Sequence, residues 1–320
     1  MKLLIIVNNV AANARTAWAV IQTQLTKAQI DYDCYQTTAA GDATRRTRTA
    51  LKAGETTIAV VGGDGTLSEA AEGFFEFNED IRQLPEAINS EASLAILPAG
   101  TGDDFARGLR GGRAPLRDWI DVLIAHVRSG RPANSHVDVL YGLLNNYATP
   151  FICLNASTMG IGGETAGRVA AQGSFMRSFP GELRFAVAAV QALAYWRERR
   201  VQVMVDNEVI VDGPMNLAAV ANGRYAGGGM LLSPEAKNND GRLDVVTASG
   251  LSRTGVVREL SRIHTGGHVK NHRVRITQGK VVRIHTFSNG DSMRLESDGN
   301  VRGVTPVQFQ IMPGALRFVY

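Results

Sequence analysis

Hydrophobic positions follow two different patterns along this chain. In the first third, unbroken aliphatic runs alternate with segments whose apolar residues recur every three or four positions. Residues 3–7 (Leu-Leu-Ile-Ile-Val) form such a run, as a strand covered on both faces requires. Trp18, Ile21, Leu25 and Ala28 follow at helical spacing. Residues 30–35 predict a second strand, and Asp42 is placed to cap a helix reaching about residue 53. A third strand at 57–61 runs straight into Gly62, and residues 67–75 predict a short helix. Residues 76–92 are a polar surface excursion. A fourth strand at 94–97 ends in Pro98-Ala99-Gly100, and another helix follows. This order predicts a doubly wound, mostly parallel α/β sheet.

From about residue 134 the pattern changes. Strand signals become dense, at 136–140, 151–155, 201–205, 209–211, 217–221, 243–247, 281–286, 293–297 and 307–311. Asp206-Asn207 between two of them reads as a hairpin turn. Helical blocks at 183–197 and 255–264 interrupt the series. Two domains are therefore expected: an α/β domain over 1–133 and a β-rich domain with helical insertions over 134–311.

Composition narrows the class. With 44% hydrophobic and 20% charged residues, the chain is neither disordered nor fibrous. A net charge of +4 suits an anionic substrate or a membrane surface without demanding nucleic acid, and no nucleic-acid partner is expected. Cys34 and Cys153, each in an apolar segment, read as buried thiols of a reducing compartment. Residues 1–7 are too short for a signal peptide and lack a cleavage site. No apolar run approaches the ~20 residues of a membrane span. The expected location is the cytoplasm, with any membrane contact peripheral. A homodimer is among the states the sequence allows.

The 34 glycines cluster, and the clusters carry the chemistry. Gly62-Gly63-Asp64-Gly65-Thr66-Leu67-Ser68 leaves a strand and opens a helix. Such a turn aims main-chain N–H groups and a helix N-terminus at one point, which suits phosphate. The glycines let the backbone approach closely, and Thr66 and Ser68 offer hydroxyls. Asp64 would repel a bare triphosphate and makes sense with a divalent cation between them. No Walker loop and no dinucleotide fingerprint occurs. Gly100-Thr101-Gly102-Asp103-Asp104 repeats the strand-to-helix arrangement, and in a parallel sheet both turns fall on one edge. Asp103 and Asp104 serve there as helix caps or as site groups. A third stretch joins Asn222 to Met230, with Gly227-Gly228-Gly229, to the oxygen-rich run Asn238-Asn239-Asp240-Gly241. That run is a cation loop or a plain polar turn. The fourth, Glu296-Ser297-Asp298-Gly299-Asn300, is an acidic turn able to accept a hydroxyl proton, or a simple hairpin tip.

Together these stretches resemble the diacylglycerol kinase catalytic family, in its bacterial soluble lipid-kinase branch, over nearly the whole chain and in the same order. Gly62-Gly63-Asp64-Gly65-Thr66 alone is shared with NAD kinases and phosphofructokinase-like folds. Its combination with the Gly100 turn and with Gly227–Asp244 is far more specific. The resemblance implies an N-terminal nucleotide domain, a C-terminal β-sandwich, an active site between them, and a final strand at 312–320 returning to the first domain. It implies ATP, Mg²⁺ and a lipid hydroxyl as acceptor, diacylglycerol foremost. Nucleotide contacts fall on Asn8, Asn9, Val10, Ala11 and Ala12, on Thr37, on Gly62, Gly63, Asp64, Gly65, Thr66, Leu67 and Ser68, and on Thr101. A structural Mg²⁺ falls on Asp240 with carbonyls of Lys237 and Arg242. The chain departs from the family in Asn8-Asn9-Val10-Ala11-Ala12, commonly Asn-Pro and a glycine there, and in Asp103, usually Asn. It departs most in Asn300, where the family places a proton-accepting Glu; Asp298 survives to take that role. Two alternatives stand beside the lipid kinase: a catalytically silent nucleotide or lipid binder, and an NAD kinase. Phe175, Met176 and Phe179, near Arg168, Arg177 and Arg184, are either ordinary core and surface residues or an apolar lip for a membrane surface.

Overall fold

The structure is a computed structural model describing residues 2–9, 12–144, 148–177, 179 and 181–320. The chain forms two compact units: Met1–Val139 with Met312–Tyr320, and Leu140–Ile311. The first unit contains β1 (Leu3–Val7), α1 (Ala12–Lys27), β2 (Asp33–Gln36), α2 (Asp42–Lys52), β3 (Thr57–Gly62) and α3 (Asp64–Glu72). It continues with β4 (Phe75–Glu76), β5 (Glu86–Ala87), β6 (Ser93–Pro98), α4 (Asp104–Arg110) and α5 (Leu116–Ser129). Strand β7 (His136–Leu144) leads into the second unit. That unit holds β8 (Thr149–Cys153), β9 (Ala156–Gly160), α6 (Ile161–Ala170), α7 (Ser174–Arg177) and α8 (Gly181–Tyr195). β10 (Arg199–Val205), β11 (Glu208–Met215), β12 (Leu217–Ala221), β13 (Leu243–Ala248) and α9 (Arg253–Ile263) follow. β14 (Val274–Gly279), β15 (Val281–Thr286), β16 (Arg294–Ser297), β17 (Asn300–Val304) and β18 (Val307–Val319) complete it, the last running back into the first unit.

In the first unit, β2, β1, β3, β6 and the end of β18 lie side by side, all parallel. β1 and β3 are buried along their whole length, because helices cover both faces. β2 is the edge, and there the expectation of two buried thiols fails. Cys34 is exposed because, among the described strands, β2 pairs on one side only, whereas Cys153 is fully buried. Asp42 also differs from expectation. Gly41 caps α2, in a left-handed conformation, and Asp42 is its first residue. The Asp42 carboxylate reaches back to the N–H groups of Thr38 and Ala39 and to the Thr38 hydroxyl, at 2.7–2.9 Å. These bonds hold it down to a pKa of about 2 and fix the loop that carries Thr37.

The second unit is a sandwich. One sheet orders β14, β13, β12, β9, β16 and β17, antiparallel throughout. The other includes β11, β10, β15 and the start of β18. Val201, Val203, Ile284 and Phe309 from one sheet share a core with Met159, Val220, Val245 and Leu295 from the other. Asp206 and Asn207 both take left-handed conformations (φ 47° and 72°), making the tight hairpin turn their sequence predicts.

Candidate functional site

In the first unit the two glycine turns touch. Gly62 pairs with Pro98 at the carboxyl ends of β3 and β6, and the Ala99 N–H donates to the Gly62 carbonyl at 3.0 Å. One turn later, a Cβ placed on Gly100 would lie 2.7 Å from the Gly63 Cα and 2.6 Å from Asp103 Oδ1. The glycines are therefore a packing requirement as well as a means of approaching a ligand. Asp103, left-handed at φ 51°, closes the second turn by accepting the Gly100 N–H at 2.8 Å.

Asp64 joins the turns. Its two carboxylate oxygens accept the N–H groups of Asp104 and Phe105, each at 2.9 Å, and so tie the start of α3 to the start of α4. Burial of this carboxylate, with the Asp104 charge adding to it, pushes its pKa up to about 7. Burial also raises Asp103. The two turns thus gather carboxylates, held by main-chain amides, in a concentration that a polyphosphate alone would not tolerate.

An unfolded aspartate titrates near ~3.9, whereas folded Asp64 keeps its proton to about 7, so stability falls as pH rises between those values. Denaturant unfolding without divalent cations is expected to show on the order of 2–4 kcal/mol less stability at pH 8 than at pH 4 from this group. Asp64→Asn flattens that part of the profile; an unchanged profile would refute the assignment.

Asn8 belongs to the same place. Its side-chain N–H donates to Thr66 Oγ1 at 2.9 Å and its main-chain N–H to the Val61 carbonyl. Asn9 stands exposed beside it, and its carbonyl accepts from Arg15. Val10 and Ala11 lie outside the described residues, and Ala12 begins α1. Thr37 is buried, with its N–H on the Val7 carbonyl. Thr101 is exposed at the second turn, where the Arg113 guanidinium donates to its carbonyl. Gly63, Asp64, Gly65 and Thr66 are partly open, but Leu67 and Ser68 are buried and serve the packing of α3. A cavity of about 450 Å³ opens beside the Gly100 turn, between Thr16 of α1, Asp103, Arg107 of α4 and Trp119 of α5.

In the second unit, the acidic turn and the glycine-rich loop are linked through residues 154–156. The Asp298 carboxylate accepts the N–H groups of Leu154 (2.7 Å), Asn155 (3.1 Å) and Ala156 (3.0 Å), and the residue is left-handed at φ 49°. Few lone pairs remain for a substrate hydroxyl. The role the sequence suggested for Asp298, proton acceptor, thus competes with a role as main-chain clamp. Glu296, half-buried on the same hairpin, accepts from Thr158 Oγ1 at 2.8 Å and from the Gly299 N–H. Asn300 opens β17 opposite Ser297. Asn155 in turn donates to the Tyr225 carbonyl and accepts the N–H groups of Asn222 and Gly223. Gly227, Gly228 and Gly229 are all left-handed, which side chains would resist.

Asp240 is exposed next to this loop, with one oxygen on the Arg242 N–H at 3.1 Å. Its carboxylate and the carbonyls of Lys237 and Arg242 are hard oxygen donors of the kind a partly hydrated Mg²⁺ takes. Among the described residues no three acidic, histidine or cysteine side chains form a ready cage for a metal. A cation in either unit would need water or phosphate oxygens to complete its shell.

Comparison with known proteins places the chain in a family. Residues 2–132 match the diacylglycerol kinase catalytic domain, and residues 159–320 match the YegS C-terminal NAD kinase beta sandwich-like domain. The chain is 27% identical over 283 residues to a diacylglycerol kinase of Mycobacterium tuberculosis, covering 87% of this chain and 81% of that protein. It is 31% identical over 245 residues to a probable lipid kinase YegS-like protein of Xanthomonas axonopodis pv. citri, covering 76% of this chain and 72% of that one. The crystal structure of a diacylglycerol kinase from Bacillus anthracis str. Sterne shares the fold, with a TM-score of 0.68 and 21% identity over 100% of this chain and 96% of that one. The chain belongs to the diacylglycerol kinase-like family of bacterial lipid kinases.

Proposed function

We propose that this chain is an ATP-dependent lipid kinase that transfers the γ-phosphoryl group to a lipid hydroxyl, with diacylglycerol as the first acceptor to test and phosphatidic acid as its product. The observation that carries the reading is the contact between the Gly62 and Gly100 turns. Two strand-to-helix turns at the carboxyl edge of one parallel sheet pack directly on each other, so a phosphate chain held by one turn also lies beside the other. The triphosphate lies against Gly63, Gly65, Thr66 and Thr101, and the neighbouring cavity is of a size to take the nucleoside. Bound Mg²⁺ supplies positive charge against the triphosphate. Asp64 would hold that ion through water or its remaining lone pairs, and the Asp240 carboxylate with the Lys237 and Arg242 carbonyls would hold a structural one.

In the transfer, the acceptor oxygen bonds to the γ-phosphorus as the bond to the ADP oxygen breaks, and the hydroxyl proton must leave. Asn300 cannot take it, because an amide is not a base near neutral pH. Asp298 is occupied by three main-chain donors, so we assign the proton to Glu296, with Asp298 shaping the turn. A loose transition state asks little of a base.

The test is labelled ATP with a panel of lipid hydroxyls and NAD. Labelled phosphatidic acid is expected, with Glu296→Gln lowering turnover about 10²-fold and Asn300→Glu raising it. Nucleotide binding without any transfer would instead establish a silent binder, and labelled NADP an NAD kinase.

A further inference from the structure

Helix α8 is apolar on two faces. Ala188, Ala192 and Leu193 are buried, where α8 packs on α6. Leu183, Ala186, Val190 and Ala194, three or four residues apart, all point to solvent, with Val190 68% exposed. A surface helix normally turns polar side chains outward. Here Gln191 is the sole amide or charged residue among the described exposed positions of α8. The strip continues into Phe175, 75% exposed, whose ring meets Phe179 edge to face at 5.4 Å, and into Tyr195, 78% exposed.

Two arginines, Arg168 and Arg184, border this surface, in a stretch of basic sequence. Residues 161–200 contain six arginines and three glutamates, with no lysine or aspartate. The Arg168 guanidinium lies over the Tyr195 ring at 5.4 Å, and Arg184 donates to Gln172 at 2.9 Å beside the strip. A symmetric pair of chains meeting here would set Arg168 and Arg184 against like charges of the second copy. Anionic headgroups offer the opposite charge, and acyl chains accept the strip and the rings.

We propose that the outer face of α8, with Phe175, Phe179 and Tyr195, docks the second unit onto an anionic lipid bilayer, the helix lying in the plane of the interface. The lipid-kinase reading gives this docking its purpose, since it holds the enzyme where acceptors reside. The test sediments the full chain with phosphatidylcholine vesicles, with and without about one-third phosphatidylglycerol. The wild-type chain is expected to partition onto the anionic vesicles and to be released by salt. Val190→Asp and Phe175→Asp each lower the partition about tenfold or more, without shifting the melting temperature, because both side chains are exposed. Equal partition of wild type and variants overturns the proposal. So does the absence of wild-type binding, or a wild-type dimer in sedimentation velocity that the variants dissolve. Transfer to a short-chain diacylglycerol dissolved as monomers is measured alongside, and Val190→Asp leaves it unchanged. Transfer without vesicle binding sinks the docking surface alone; vesicle binding without transfer to any acceptor sinks the kinase reading alone.

Discussion

Gly100→Ala is expected to weaken ATP binding about 100-fold or more, as measured by titration with a fluorescent nucleotide. The added methyl would stand 2.7 Å from the Gly63 Cα and 2.6 Å from Asp103 Oδ1, inside any real van der Waals contact. Neither neighbour is the loose end of a flexible side chain. Gly63 is backbone, and Asp103 is held by the Gly100 N–H itself. The turns must separate, which costs about 1–3 kcal/mol of stability by overpacking. Displacing the paired turns by roughly 1 Å, with the phosphate site they form, accounts for the two orders of magnitude in binding. Gly173→Ala is the control, since a Cβ there meets nothing within 4 Å and Gly173 does not line the cavity. Equal affinities for the two variants would show that the paired turns do not hold the nucleotide.

Asp298→Ala is expected to destabilise the protein by about 3–5 kcal/mol, because it orphans three main-chain N–H groups at a site only 5% exposed. For a unit of this size that amounts to a fall of roughly 10 °C in melting temperature. Asp298→Asn separates the clamp from a base. Asparagine tolerates the left-handed conformation and keeps one acceptor oxygen, so it should lose less stability and retain turnover per folded molecule. A fall of about 10²–10⁴-fold in turnover with an unshifted melting temperature would make Asp298 the proton acceptor after all.

These predictions separate what could be read along the chain from what could not. The parallel sheet, the turn positions and the Asp206-Asn207 hairpin were legible because they depend on neighbouring residues: aliphatic runs, clustered glycines, a dipeptide that tolerates positive φ. The bonds that give the site its rigidity were not. Asp64 reaches amides 40 and 41 positions away, and Asp298 reaches amides 142–144 positions away. A carboxylate in a glycine-rich turn carries no mark of whether it will face a cation or an N–H group. Ser68 is the converse case: its hydroxyl suggested a phosphate contact, but helix α3 turns it into the core. Cys34 looked buried because its run is apolar, and only the order of the strands reveals an edge. The strand predicted at 307–311 and the returning strand at 312–320 are one continuous β18, which runs through Pro313 and Gly314 with the Gly314 N–H donating to Asp138 at 2.7 Å.

The return of β18 has a consequence for biosynthesis. Arg317–Val319 pair with Ser93–Ala95, and Phe318 sets its ring edge-on against Phe105, the residue whose N–H Asp64 receives. A ribosome therefore emits every glycine of the phosphate turns long before it emits the side chain that buttresses them. The whole of the second unit is translated in the interval. Until Phe318 arrives the nascent first unit has an open sheet border beside β6, where another strand could pair in its place.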